Sequence, residues 1–249
     1  MTYAMPKRKA KRWAINLALV IIVLVGLAAI LHPYLLSQIV TSSLKPPTKM
    51  LPKNQRHKAT YDAGSVTSIT PEDVAKAYKY KNTIDRVGQL VAPKIQLNMP
   101  IQPGVDYFTE LLGAGEQYPR SEIAPGGVGN YVLASHHLES FWNTSGLFTR
   151  IDELALGDII YVNDGQTVFT YTVRTSKQVS VSDTDWIAPQ TQNTNSKHLT
   201  LYTCVSLATV NTLRYVVQSE LTSETPISED MPKTMVDAFN QASISMWTP

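Results

Sequence analysis

The chain is poor in cysteine. Its one thiol, Cys204, has no partner within the 249 residues, so the fold is held by packing rather than by an internal disulfide. In isolation, a lone cysteine reads as a small buried hydrophobe. Charge is also scarce: charged residues make up 17% against about 25% for an ordinary globular chain, which excludes a highly charged disordered protein. Excess cations are few and local. The net charge is +2, and Lys7, Arg8, Lys9, Lys11 and Arg12 carry +5, so the rest of the chain sums to 2 − 5 = −3. No basic face is spread over a folded domain, and nucleic acid is therefore not an expected partner. One cysteine and the adjacent His136–His137 pair make no zinc spacing. There is no internal repeat, no low-complexity tract and no second long apolar run.

What is present begins with a basic head, residues 1–12, followed by an apolar run. From Trp13 to Leu31 only Asn16 is polar. About 19 helical residues span roughly 28 Å, close to the thickness of a bilayer's hydrocarbon. A cleaved signal peptide is the competing reading, but it has a shorter apolar region and a small-x-small cleavage site. Here the run continues through His32-Pro33-Tyr34-Leu35-Leu36, and the sequence predicts a retained single-pass anchor over residues 13–36. The positive-inside rule places the N-terminus in the cytoplasm and the remainder outside the cell membrane. Residues 37–67 read as an extracellular linker, with Pro46, Pro47 and Pro52 among Lys45, Lys49, Lys53, Arg56 and Lys58. Thr70-Pro71-Glu72-Asp73 starts a helix that ends near Lys81–Asn82.

From Gly88 onward the texture is β: Leu90–Leu97 interrupted by Pro93, Tyr131–Ala134, Asp158–Val162, Val168–Val173, Gln178–Val181, Leu199–Thr203 and Tyr215–Leu221. Asn163-Asp164-Gly165 is a hairpin signal. Gly126-Gly127-Val128-Gly129 lacks the strand-turn-helix setting of a phosphate loop and reads as a turn. Regular short strands with little helix predict a mainly β fold, a closed barrel of about eight strands with short helices, preceded by one N-terminal transmembrane helix. Residues 226–249 form a tail in which Pro232–Ala242 makes a short helix, with Met235, Val236 and Phe239 on one face. The long polar stretch Ser182–Ser196 reads as a loop shaping a site.

Cys204 and His136 each end a β run, where side chains become reachable, and Arg214 opens the next run. A thiol beside an imidazole can act as a nucleophile. A guanidinium cannot be a base, but it can bind a carbonyl oxygen or an oxyanion.

These residues resemble the sortase family. Thr200-Leu201-Tyr202-Thr203-Cys204, followed by Arg214-Tyr215-Val216-Val217, is similar to its signature. Tyr131-Val132-Leu133-Ala134-Ser135-His136-His137 resembles the strand leading to the sortase histidine. Phe148, Leu154–Val162 and Pro93–Ile101 match further segments, and a catalytic barrel over residues 68–225 is implied. One N-terminal anchor without a C-terminal span resembles class A, the housekeeping type of Gram-positive bacteria. The resemblance implies a cysteine transpeptidase with Cys204 as nucleophile, His136 as acid and base, and Arg214 as substrate or oxyanion ligand. It also implies LPXTG-bearing surface proteins as substrates and the amine of a lipid-linked peptidoglycan precursor as acceptor. Thr203, Trp186, Ile187 and His137 are the expected substrate-binding residues. An anchored cysteine protease and a non-catalytic wall-binding barrel are the alternatives.

Two departures from the family pattern stand out. Val205 takes the place of an acid that many class A members carry directly after the cysteine. Some members bind calcium through acids near Glu110, Glu116 and Glu122 and one acid of the later loop, where this chain has Gln190, Gln192, Asn193 and Asn195. Hard cations want several oxygen ligands. No cofactor and no calcium requirement are expected.

Overall fold

The computed structural model describes residues 7–44, 58–61, 73, 77, 79–137, 147–189, 195–205 and 212–240. Helix α1, Lys7–Leu44, contains the apolar run and extends eight residues past the predicted span. Within it Arg12–His32 is long and apolar enough to cross a membrane. Trp13, Ile22, Val23 and Ile30 are among its exposed apolar side chains. Asp73, Ala77, Lys79 and Tyr80 are helical, and Thr83 N–H closes on Tyr80 O at 2.8 Å, so this helix ends near the predicted place. Its predicted start at Thr70 lies outside the described residues.

Eight strands close into a barrel: β1 Gly88–Ala92, β2 Leu97–Pro103, β3 Ala114–Glu116, β4 Gly129–Ala134, β5 Ile159–Asn163, β6 Thr167–Ser180, β7 Lys197–Cys204 and β8 Leu213–Pro226. Around the barrel the order is β1-β2-β3-β4-β7-β8-β6-β5. The β2–β3 and β4–β7 pairs are parallel and the others antiparallel. Two helices follow α1 among the elements with defined bounds, α2 Tyr107–Leu112 and α3 Lys233–Asn240.

Several boundaries differ from the sequence reading, each for a local reason. Pro93 removes a ladder donor and starts a 3-10 turn that ends at Gln96, whose φ is +54°; one expected run is therefore two antiparallel strands. The runs at Val168–Val173 and Gln178–Val181 belong to one strand, β6. Register shifts between Thr170 and Tyr171 and between Val173 and Thr175 break its alternation without ending its pairing with β8. The Asn163-Asp164-Gly165 hairpin forms as predicted. Asp164 Oδ1 accepts from Gln166 N and Thr167 N, and Gly165 takes φ +93°.

The barrel interior is filled by the inward alternates, among them Leu90, Met99, Ile101, Tyr131, Leu133, Leu199, Leu201 and Val217. Helix α3 buries Met235, Ala238 and Phe239 against Val91 and Val168. Asn98 Nδ2 donates to the Phe239 carbonyl at 3.0 Å and fixes the helix end to β2. A third apolar group, Val105, Val132, Ala134, Val179, Tyr202 and Val216, lies on the opposite side of β4, β7 and β8 from the interior. The site is built at the edge of that outer layer.

Candidate active site

Strand β7 carries the cysteine at its last position, between β4 and β8. Across β8, Cys204 is the direct partner of Arg214. Across β4, the parallel ladder runs to Ala134 opposite Tyr202. Beyond its last pair the two chains stay side by side, because Thr203 Oγ1 donates to the Ser135 carbonyl at 2.7 Å. The next step in the same register sets His136 beside Cys204. Alternation gives these residues a common side. Leu133, Leu201 and Val217 point into the barrel, while Ala134, Tyr202 and Val216 lie in the outer layer. Two residues further along each strand, His136, Cys204 and Arg214 therefore belong to the outer set. The three predicted catalytic residues come from three adjacent strand ends.

Their environments differ. His136 is buried, 4% exposed, and its carbonyl accepts Phe148 N–H at 3.1 Å. Cys204 and Arg214 are partly exposed. Arg214 Nη1 donates to the Leu213 carbonyl at 3.0 Å. Burial pushes the Cys204 thiol above its ordinary pKa, with the field of Glu110 in the same direction and that of Arg214 against it. At neutral pH the resting group is a thiol, and a base is needed to make it a nucleophile.

Cys204 edges an open cleft of about 240 Å³ lined also by His137, Phe148, Ile151, Asp152, Gln178, Thr203, Val205 and Tyr215. His137 lines this cleft and His136 does not, so the two histidines face different surroundings. Tyr215 closes one wall, its hydroxyl 3.1 Å from Ser176 Oγ. Val205 occupies the lip where an acid was noted as missing, which makes that lip apolar.

Thr203 is 3% exposed, and its hydroxyl is committed to Ser135, so it ties β7 to β4 directly before the histidine and the cysteine. Thr203→Val leaves the buried Ser135 carbonyl without that donor. It is expected to cost about 1–3 kcal/mol in urea unfolding and to slow turnover beyond what the lost stability explains.

Trp186 and Ile187 sit on a 3-10 turn, Thr184–Ile187, and pack on the outer apolar layer that includes Tyr202. They stand next to the cysteine's strand but do not line the 240 Å³ cleft. Their backbone is pinned: Asn130 Nδ2 donates to the Trp186 and Ala188 carbonyls at 3.0 Å, and Tyr118 Oη donates to the Ile187 carbonyl at 3.0 Å. Lys177 Nζ lies 4.2 Å from the centre of the Trp186 ring.

Glu110 escaped the sequence reading as a member of the site. It lies on α2, is 5% exposed, and burial together with Asp106 pushes its carboxyl up to about 8 in spite of the field of Arg214. A glutamate in a six-residue helix gives no sequence signal of such a placement. Of the acids weighed for calcium, Glu116 is otherwise engaged. Glu116 accepts from Arg120 Nε at 2.6 Å and Tyr131 Oη at 2.5 Å, and among the described residues no group of three or more His, Cys, Asp or Glu could hold a metal. Gln190, Gln192 and Asn193 lie outside the described residues.

The chain is similar to known proteins in sequence and in fold. The sortase domain family matches residues 90–222, more than half of the chain. Sortase A of Streptococcus agalactiae serotype III is 27% identical over 243 residues, covering 94% of each chain. Sortase A of Listeria monocytogenes is 29% identical over 218 residues, covering 85% of this chain and 93% of the relative. The solved structure of Listeria monocytogenes sortase A superposes with a TM-score of 0.52 at 29% identity, covering 60% of this chain and 95% of that one.

Proposed function

The chain belongs to the sortase family, class A, and from that premise we propose that it is a membrane-anchored cysteine transpeptidase that attaches surface proteins to the cell wall. Its substrate is a surface protein with an LPXTG-type sorting signal, cleaved between threonine and glycine. The observation that carries the reading is the pairing of Cys204 with Arg214, with the exit of β4 on the cysteine's other side.

The chemistry follows from the three groups. His136 takes the proton of Cys204 as the sulfur attacks the threonine carbonyl, because a thiol held above its ordinary pKa is not ionised beforehand. The tetrahedral intermediate places a negative charge on the former carbonyl oxygen, and Arg214 supplies the cation beside it. On collapse the C–N bond breaks, His136 gives its proton to the leaving glycine amine, and an acyl thioester remains on Cys204. An amine of a lipid-linked peptidoglycan precursor then attacks the thioester while His136 accepts its proton. Sulfur leaves, and the new amide bond joins protein to precursor. The same imidazole serves in both directions.

Thr203 holds the two strand ends in register for this exchange. His137 contacts substrate from the cleft, and Trp186 and Ile187 offer apolar surface for the leucine and proline of the signal. The route uses thiol, imidazole and guanidinium and calls on no cofactor. Independence of calcium is part of the proposal, supported by the engagement of Glu116 with Arg120 and Tyr131. Helix α1 supports a single-pass anchor, and Lys7, Arg8, Lys9, Lys11 and Arg12 before its apolar run support a cytoplasmic N-terminus with the barrel outside.

The test is product partition. Incubation with an LPXTG peptide and a peptidoglycan-type amine is expected to give an amine-linked product that rises with amine concentration as the hydrolysed acid falls. Hydrolysed peptide alone at every amine concentration would reassign the protein as an anchored protease. No cleavage of any sorting peptide would leave only a wall-binding barrel.

A further inference from the structure

The acceptor amine, the second substrate of a transpeptidase, needs a place beside Cys204 that the sorting signal does not fill. The outer apolar layer suits the leucine and proline of the signal, and Trp186 and Ile187, packed on it, do not line the cleft at Cys204. Strand register puts the cleft on the other face. Cys204 and Val179 are both partners of Arg214, and Val179 belongs to the outer layer. One position along, Thr203 and Gln178 are both partners of Tyr215, which packs against the barrel interior. Partners across a ladder share a face, and neighbours along a strand do not. Thr203, Tyr215 and Gln178 all line the cleft and form one row on its inner side. Cys204 ends β7 between the two surfaces.

The cleft is walled and carries one charge. Tyr215 Oη lies 3.1 Å from Ser176 Oγ and 3.4 Å from the Asp152 carbonyl, which joins β8 to β6 and to the 3-10 turn Ile151–Glu153. Asp152 is exposed on that turn, and among the described residues it is the only Asp, Glu, Lys or Arg that lines the cleft. The nearby cation Arg150 is committed elsewhere. Its Nε and Nη2 each donate to a Glu153 carboxylate oxygen at 2.7 Å, and its Nη1 donates to the Ile95 carbonyl at 3.3 Å.

From this arrangement we infer that the cleft is the acceptor subsite, and that Asp152 makes it select a primary amine with no free carboxylate beside it, as in an N-terminal amino acid whose own carboxyl is in amide linkage. The inference rests on the transpeptidase reading. Attack of the amine on the thioester carbonyl forms the N–C bond and leaves nitrogen positive until His136 takes its proton. Collapse then breaks the C–S bond, and the proton passes to the departing sulfur. A carboxylate in the cleft stabilises the cation that develops on nitrogen, and it repels an acceptor that carries a second carboxylate next to the amine.

The test is acceptor partition in detergent-solubilised full-length protein. One LPXTG peptide is offered with glycinamide or with glycine, and the ratio of amine-linked product to hydrolysed acid is measured against acceptor concentration. Both products arise from the same thioester, so the slope of this ratio does not depend on how fast the thioester forms. Comparing wild type with each variant on one acceptor at a time cancels the intrinsic reactivity of that acceptor. Asp152→Asn is expected to lower the slope for glycinamide roughly three- to tenfold, and to leave the slope for glycine within about twofold or raise it. Gln178→Phe, which fills the cleft from an exposed position on β6, is expected to lower the slope for both acceptors. An unchanged glycinamide slope in Asp152→Asn, or an equal fall for both acceptors, would overturn the selection by charge. Unchanged slopes in a folded Gln178→Phe would overturn the placement of the acceptor in the cleft, and Asp152→Asn decides alone if that variant does not fold. The two readings fail separately. No amine-linked product from wild type with either acceptor would sink the transpeptidase reading and this inference with it, whereas amine-linked product that is indifferent to both substitutions would sink the inference alone.

Discussion

Cys204→Ala is expected to abolish both peptide cleavage and amine transfer, a loss of roughly 10⁴-fold or more, with the fold intact. The size of the effect follows from covalent catalysis. Without sulfur no thioester forms, and no other cysteine exists to replace it. The structural cost should be small, because the residue is partly exposed at the end of β7 and its backbone ladder to Arg214 is unaffected by the side chain. Far-UV circular dichroism and the unfolding midpoint are expected to match wild type. Activity within tenfold of wild type, in a folded variant, would mean that the barrel uses another nucleophile.

The second large effect separates the two histidines. His136→Ala is expected to lower turnover by roughly 10²–10⁴-fold, the range of a lost general acid and base, whereas His137→Ala should keep turnover within about tenfold and act mainly on KM. The argument is one of register. His136 follows Ala134 by two positions in the outer set, on the β4 side of Cys204, with Arg214 on its β8 side. His137 falls in the other set and lines the cleft with Phe148 and Tyr215. Exposure alone would favour His137, since His136 is only 4% exposed. Register decides over exposure, because a base must lie next to the thiol rather than next to solvent. Steady-state kinetics of the two variants on one sorting peptide, with the unfolding midpoint of each as control, reads the difference. A severe kcat loss in His137→Ala with a mild one in His136→Ala would invert the assignment.

Much of this site was legible in the sequence because its parts are local. The runs ending at His136 and Cys204 and the run opening at Arg214 are short, β-branched and bounded by turns, and they became β4, β7 and β8. Their assembly was not legible from pattern. A parallel pairing of β4 with β7 joins Ser135 to Thr203 across 68 positions, and no periodicity in either strand names its partner. The resemblance to a known family supplied that link. Short elements were missed for a related reason: α2 and β3 are too brief for a hydrophobic period, and Glu110 was lost with them. Strand β6 was read as two because its register shifts interrupt the alternation that marks a strand, although its pairing with β8 continues through them. Trp186 and Ile187 read in the sequence as substrate-binding residues of a loop, and only the folded chain shows that they pack on the outer layer, apart from the cleft that Cys204 edges.

The central claim is a thioester on Cys204. Its most direct measurement is intact-mass and peptide-mapping mass spectrometry of the protein after brief exposure to an LPXTG peptide, without amine, quenched in acid. The account predicts an added mass equal to the peptide up to its threonine, located on Cys204, absent in Cys204→Ala and discharged by hydroxylamine. Turnover of the same peptide with no adduct on Cys204 at any quench time, or with the adduct on another residue, would contradict it.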